Sequence, residues 1–133
     1  MTVTDRVQAG TWVRACALDD LVPGRGVGVL GPDMVQVALF RVLAAESDRE
    51  AVGRSRLYAI GNIDPFARAA VLSRGLTGEH GGEPTVASPL GKQIFSLRSG
   101  RCLDDESVAV PSHAVRVVEG IVEVYFASAQ PDE

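Results

Sequence analysis

Short apolar runs with a period of two, broken every several residues by Gly or Pro, constrain this chain more than any other feature. Val35, Val37 and Leu39 alternate with Gln36, Ala38 and Phe40, the spacing of a strand that buries one face. Turn dipeptides separate such runs: Ser99-Gly100 lies between residues 93–98 and 101–103, and Glu119-Gly120 between 114–118 and 121–126. Gly31-Pro32-Asp33 similarly separates residues 26–30 from 34–42. With 14 Gly and 7 Pro spread over 133 residues, eight to ten short strands and little helix are expected. The fold class is therefore all-β, a small antiparallel barrel or sandwich.

Other segments fill in the order of elements. Residues 12–16 and 57–61 read as strands, residues 18–24 as a connecting turn and 85–87 as a short strand. The Ala-rich stretch 66–72 reads as a short helical turn ended by Gly75, and 77–84, with Gly78, Gly81, Gly82 and Pro84, as loop. Pro111, after residues 108–110, must lie on a sheet edge or at a bulge, because it cannot donate to a ladder. The charged stretch 44–56 reads as an exposed, expandable hairpin loop. No internal repeat is evident. The domain is assigned to residues 11–126, between polar tails at 1–10 and 127–133 expected to fray.

Composition narrows the function. There are 17 acids against 13 bases, net charge -4, and no basic cluster, so neither nucleic acid nor a membrane surface is an expected partner. No apolar stretch approaches the roughly 18 residues that a bilayer span needs, and residues 1–10 lack the apolar core of a signal peptide. A soluble, cytoplasmic protein is expected, with Cys16 and Cys102 as free thiols.

Two cysteines and two histidines match the count of some metal centres. However, Cys16, Cys102, His80 and His113 lie on separate segments, whereas such ligands come in close-spaced pairs on rigid turns. A Cys102–His113 nucleophile and base would need hydrogen-bond reach, and buried inert cysteine is the preferred reading. Gly24-Arg25-Gly26-Val27-Gly28 is not followed by a helix that could receive a phosphate. Its glycines are assigned to turns and a bulge.

Tyr58-Ala59-Ile60-Gly61-Asn62-Ile63-Asp64-Pro65-Phe66, followed by Val71-Leu72-Ser73-Arg74-Gly75 and Val86-Ala87-Ser88-Pro89-Leu90, resembles one known family. So do Lys92-Gln93, Phe95 and Gly100-Arg101-Cys102-Leu103. These residues resemble the small subunit of assimilatory NAD(P)H-dependent nitrite reductase, a Rieske-like domain. The resemblance implies a Rieske-type fold without its [2Fe–2S] cluster. Asp64 and Phe66 stand where a Cys-x-His pair would be, and Ser88 and Gly91 where Cys-x-x-His would be. It further implies a large catalytic subunit as partner, which carries flavin (FAD), an iron–sulfur cluster and siroheme and reduces nitrite to ammonium. No catalytic, cofactor-binding or metal-binding residue is then expected on this chain.

Asp64-Pro65 and Ser88-Pro89 also carry a local expectation. Proline holds the preceding residue extended, and Asp or Ser there can bond nearby backbone amides. Asn62, Asp64 and Ser88 are expected to tie the two loop tips together, with an ion pair from Arg74 or Lys92 to Asp64. Phe66, Ser73, Arg74, Leu90 and Lys92 are the candidate partner face. The alternatives are a Rieske-type ferredoxin electron carrier and a stand-alone β-barrel binding module.

Overall fold

The computed structural model describes residues 10–44, 51 and 54–127. Twelve strands run through them: β1 (Gly10–Ala17), β2 (Gly26–Leu30), β3 (Gln36–Leu43), β4 (Ser55–Gly61), β5 (Ile63–Asp64) and β6 (Ala69–Ala70). They continue as β7 (Leu76–His80), β8 (Glu83–Ala87), β9 (Ile94–Ser96), β10 (Ser112–His113), β11 (Val115–Val118) and β12 (Ile121–Ala127). Every pairing is antiparallel. The strands form four sheets, ordered β1-β12-β11, β10-β4-β3-β2, β5-β6 and β7-β8-β9. Three single helical turns, Leu18–Asp20, Pro32–Met34 and Leu72–Arg74, make up the helix among the described residues.

The four-stranded sheet is the middle of the molecule. Val37, Ala38, Leu39 and Phe40 of β3 are all fully buried, so β3 buries both faces and not the single face its alternation suggests. Val37 and Leu39 join Val29, Ala59, Val122, Val124 and Phe126 in one core, which the β1-β12-β11 sheet covers. Ala38 and Phe40 join Ile60, Leu72, Val86, Phe95 and Leu97 in the other, beneath β7-β8-β9. Burying a side chain of this size removes it from water at a gain of about 1.5–3 kcal/mol. The run Val-Ala-Leu-Phe is the continuous apolar segment that a doubly covered strand needs.

Small residues make room for the large ones. Gly26 pairs with Phe40, and a Cβ on Gly26 would stand 2.6 Å from the Phe40 ring. This is what the first glycine of β2 provides; no helix follows to receive a phosphate. Arg41 ties the β1–β2 connection to the central sheet. It donates from Nη1 to the carbonyls of Leu18 and Leu21, both at 3.1 Å, and from Nε to buried Ser55 Oγ at 2.8 Å.

Several expectations are corrected. Residues 66–71 form no helix: Arg68 has φ 58°, outside the right-handed region, and Ala69 and Ala70 pair with β5; the helical turn is confined to Leu72–Arg74, and Gly75 does end it. Residues 77–84 are not loop but the β7–β8 hairpin, because Gly81 and Gly82 take φ 59° and 88°, as a tight two-residue hairpin turn requires. Gly10 and Ala127, placed in the tails, pair with each other at the ends of β1 and β12. Of residues 108–110 only Ala109 makes a ladder bridge, to Arg101. The strand begins after Pro111, as β10 on the edge of the four-stranded sheet. The remaining tail residues, and 45–50, 52 and 53 of the 44–56 loop, lie outside the described residues. The base of that loop is closed by Ala44 N–H on the Arg54 carbonyl at 2.9 Å.

Gly100 and Gly120 separate two reasons for glycine. Both have positive φ (80° and 82°), but a Cβ at Gly100 would run into the Val110 carbonyl, whereas nothing lies within 4 Å of one at Gly120. Gly120→Ala should cost about 1 kcal/mol from backbone strain alone. Gly100→Ala should cost about 3 kcal/mol or more, because the backbone must also shift. Urea denaturation of the two variants will measure the difference.

Candidate functional site

The two loop tips are two copies of one small device. Asp64-Pro65-Phe66-Ala67-Arg68 leaves β5, and Ser88-Pro89-Leu90-Gly91-Lys92 leaves β8. In the first, the Asp64 carboxylate accepts the Phe66 and Ala67 N–H groups at 2.8 and 3.3 Å, and Arg68 N–H bonds back to the Asp64 carbonyl at 2.6 Å. In the second, Ser88 Oγ accepts Leu90 N–H at 3.3 Å and Lys92 N–H reaches the Ser88 carbonyl at 3.0 Å. Both fifth residues are left-handed, Arg68 at φ 58° and Lys92 at φ 65°. Each loop exposes its third residue, Phe66 and Leu90 at 41% and 58%. The pattern Asp/Ser-Pro-apolar-x-base is thus a short repeat that reading for longer periods passes over.

One buried hydrogen bond joins the copies: Ser88 Oγ donates to Asp64 Oδ2. Asp64 is fully buried and Ser88 2% exposed. A carboxylate in this position has its oxygens taken by two amides and a hydroxyl, and bonds to a charged acceptor are among the stronger ones. The expected ion pair is not formed. Among the described residues neither Arg74 nor Lys92 lies within bridging distance of Asp64; backbone amides and a hydroxyl fill the place of a cation.

Asn62 does a different job from the one expected. Its Oδ1 accepts Ser73 N–H at 2.7 Å, and its carbonyl accepts Leu72 N–H at 3.0 Å. It therefore fixes the first loop to the Leu72–Arg74 turn and not to the second loop. Ser73 and Arg74 belong to that turn, whose Ser73 carbonyl lies against Gly26. No hydrogen bond or ion pair joins them to Phe66, Leu90 or Lys92 among the described residues. The space beside Gly91 is taken by the Gln93 side chain, so a Cβ there would strike its amide.

The cysteines and histidines stay apart. Cys102 sits in the core beneath β7-β8-β9, while His113 packs its ring on Phe126 of the opposite core and holds Nδ1 2.9 Å from the Tyr125 carbonyl. His80 ends β7 in the open. Burial, with Asp20 adding to it, pushes the Cys16 thiol up, away from the thiolate that a nucleophile or metal ligand requires. Among the described residues no group of three or more His, Cys, Asp or Glu is placed to hold a metal ion. A cleft of about 550 Å³ lies between the ends of β3–β4 and the β7–β8 hairpin, lined by Tyr58, Glu79 and Arg98 among others. None of its lining residues belongs to the tips.

Arg68 and Gln93 are the tip residues that sequence reasoning missed. Arg68 was legible in the matched spacing of the two Pro-containing motifs. Gln93 had no signal, because its role is to fill space.

Comparison with known proteins places this arrangement. Residues 11–125 match the Rieske-like [2Fe-2S] domain family. The nitrite reductase (NADH) small subunit of Salmonella typhimurium is 44% identical over 113 residues, 85% of this chain and 95% of that one. A crystal structure from Mycobacterium tuberculosis, described as an NADH-dependent nitrite reductase small subunit, is 46% identical. It superimposes with a TM-score of 0.81 over 92% of this chain and 100% of that one. The nitrite reductase [NAD(P)H] large subunit of Klebsiella oxytoca is 41% identical over 112 residues, 84% of this chain but 10% of that protein.

The Asp64–Ser88 bond sets a measurable coupling. Ser88→Ala leaves one carboxylate oxygen without its donor and should cost about 1–3 kcal/mol. Asp64→Ala also orphans two amides and should cost more. A double-mutant cycle in urea should return a coupling of about 1 kcal/mol or more between the two sites.

Proposed function

This chain belongs to the Rieske-like [2Fe–2S] domain family, among its nitrite reductase small subunits, and we propose that it serves the large chain as a cofactor-free, non-catalytic subunit. The observation that carries this reading is a match covering 95% of a small subunit's own length. The enzyme is an NAD(P)H-dependent nitrite reductase of the cytoplasm, working in nitrate assimilation. FAD, an iron–sulfur cluster and siroheme reside on the large subunit, where nitrite becomes ammonium. The Klebsiella oxytoca large subunit supports the pairing, because a segment like this chain is built into it. In keeping with a cytoplasmic location, no helix among the described residues is long and apolar enough to cross a membrane.

The cofactor-free part rests on the donor set. A Rieske centre needs two thiolates on one iron and two imidazoles on the other. The tips supply a carboxylate already bonded to a hydroxyl, a phenyl ring and a glycine covered by Gln93. These residues do not fit the cluster. The Asp64–Ser88 bond takes over the task of holding the two loops together, with Asn62 bracing the first from behind. What remains for the chain is to stabilise the large subunit, position its redox domains or gate its electron flow.

Two measurements test this. Nitrite reduction by the large subunit should fall several-fold when this chain is withheld and recover when it is added back. No effect on activity or stability would remove the subunit role. The purified chain should be colourless and free of iron; about two irons per chain with visible absorbance would restore the electron-carrier alternative.

A further inference from the structure

The twin loops assign this domain a docking surface, and we propose that Phe66 and Leu90, flanked by Arg68 and Lys92, seat in an apolar recess rimmed by carboxylates on the large subunit. The proposal rests on the subunit reading above and adds the face and the chemistry of its partner. Four observations carry it.

The first is presentation. The two loops repeat one conformation and are joined by the buried Asp64–Ser88 bond, so their exposed third residues are held in fixed relation. Phe66 leans on core Phe95, ring centroids 6.3 Å apart, while 41% of it remains exposed. An aromatic anchored at its base loses little freedom on binding, which favours a hot-spot role.

Charge is the second. The chain carries net charge -4, yet the residues the two loops expose include two cations and no acid. The loops' only acid, Asp64, is buried and bonded. Asp104, at the base of the second loop, has one oxygen occupied by Ile94 N–H at 2.8 Å. Lys92 is moreover the chain's single lysine. A locally cationic face on an acidic domain fits an acidic partner surface and steers its approach.

The third is backbone conformation. Left-handed φ favours Gly or Asn, but both loops place a long cationic side chain there. Asp33, Met34, Arg54 and Glu119 take the same conformation elsewhere; what sets the tips apart is that the matched position of both loops is basic where glycine would serve the turn better. The fourth is composition: an apolar centre with a charged rim is the anatomy of a protein interface.

The test uses the full chain and the intact large subunit in a titration at two salt concentrations. Binding of the wild-type chain should weaken as salt rises. Arg68→Glu with Lys92→Glu should weaken it by roughly tenfold or more and reverse the salt effect. Arg68→Gly with Lys92→Gly relieves the backbone while removing the charge, so it should keep or raise the unfolding midpoint yet still lose affinity. Phe66→Ser with Leu90→Ser should lose affinity at both salt concentrations. If the wild-type chain binds and all three variants bind equally well, the docking surface is overturned and the subunit role stands. If the glycine variant alone binds like wild type, the cationic rim is overturned. If the wild-type chain does not bind the large subunit at all, the proposed function itself falls, and this surface with it.

Discussion

Burial of β3 on both faces is the constraint from which the rest of the molecule follows. Val37 and Leu39 belong to one core, Ala38 and Phe40 to the other, so one strand carries two hydrophobic layers and cannot slip register. A shift by one residue would exchange the two sets and place Phe40 where Leu39 packs. The partners of β3 are cut to suit, with Gly26 under Phe40 and Gly28 opposite Ala38. The Arg41 side chain then closes the end of the sheet on two carbonyls and a buried serine.

That central sheet also positions the loops. β4 pairs with β3 along its whole length and runs directly into Asn62 and Asp64. β8 brings Ser88 from the neighbouring sheet. Two chain segments from different sheets therefore meet at a buried carboxylate and a buried hydroxyl. Hydrogen bonds from both loops converge on that carboxylate. Burying a polar group is costly unless it is paired, and the Asp64 oxygens are paired with donors from both loops. The joined tips expose the side chains of Phe66, Leu90, Arg68 and Lys92, on a chain that is acidic as a whole.

The parts of the fold that follow local chemistry were legible. Turns at Ser99-Gly100 and Glu119-Gly120, the final hairpin and the edge position forced by Pro111 all follow from residue type. Residues 66–71 misled because alanine content speaks for helix only when nothing nearby offers the backbone another bond. Asp64 offers two, and Ala69 and Ala70 find partners in β5. The Gly81-Gly82 turn misled in the opposite sense: glycine density suggested loop, where paired positive φ angles make a hairpin. At the tips, Asp64 and Ser88 could be singled out because proline follows each, but the absence of an Asp64 ion pair could not be foreseen.

By itself the sequence determined the class of fold, the family and the two Pro-containing motifs, because period, turn residues and local side-chain bonding act over a few residues. Only the tertiary structure decided that β3 serves two cores, that Asn62 braces the Leu72–Arg74 turn, and that Asp64 meets Ser88. Those depend on which segments pack against one another, across 11 residues of chain for Asn62 and Ser73 and 24 for Asp64 and Ser88, which no local pattern encodes. The loop tips therefore read in sequence as two separate turns, and in space as one surface.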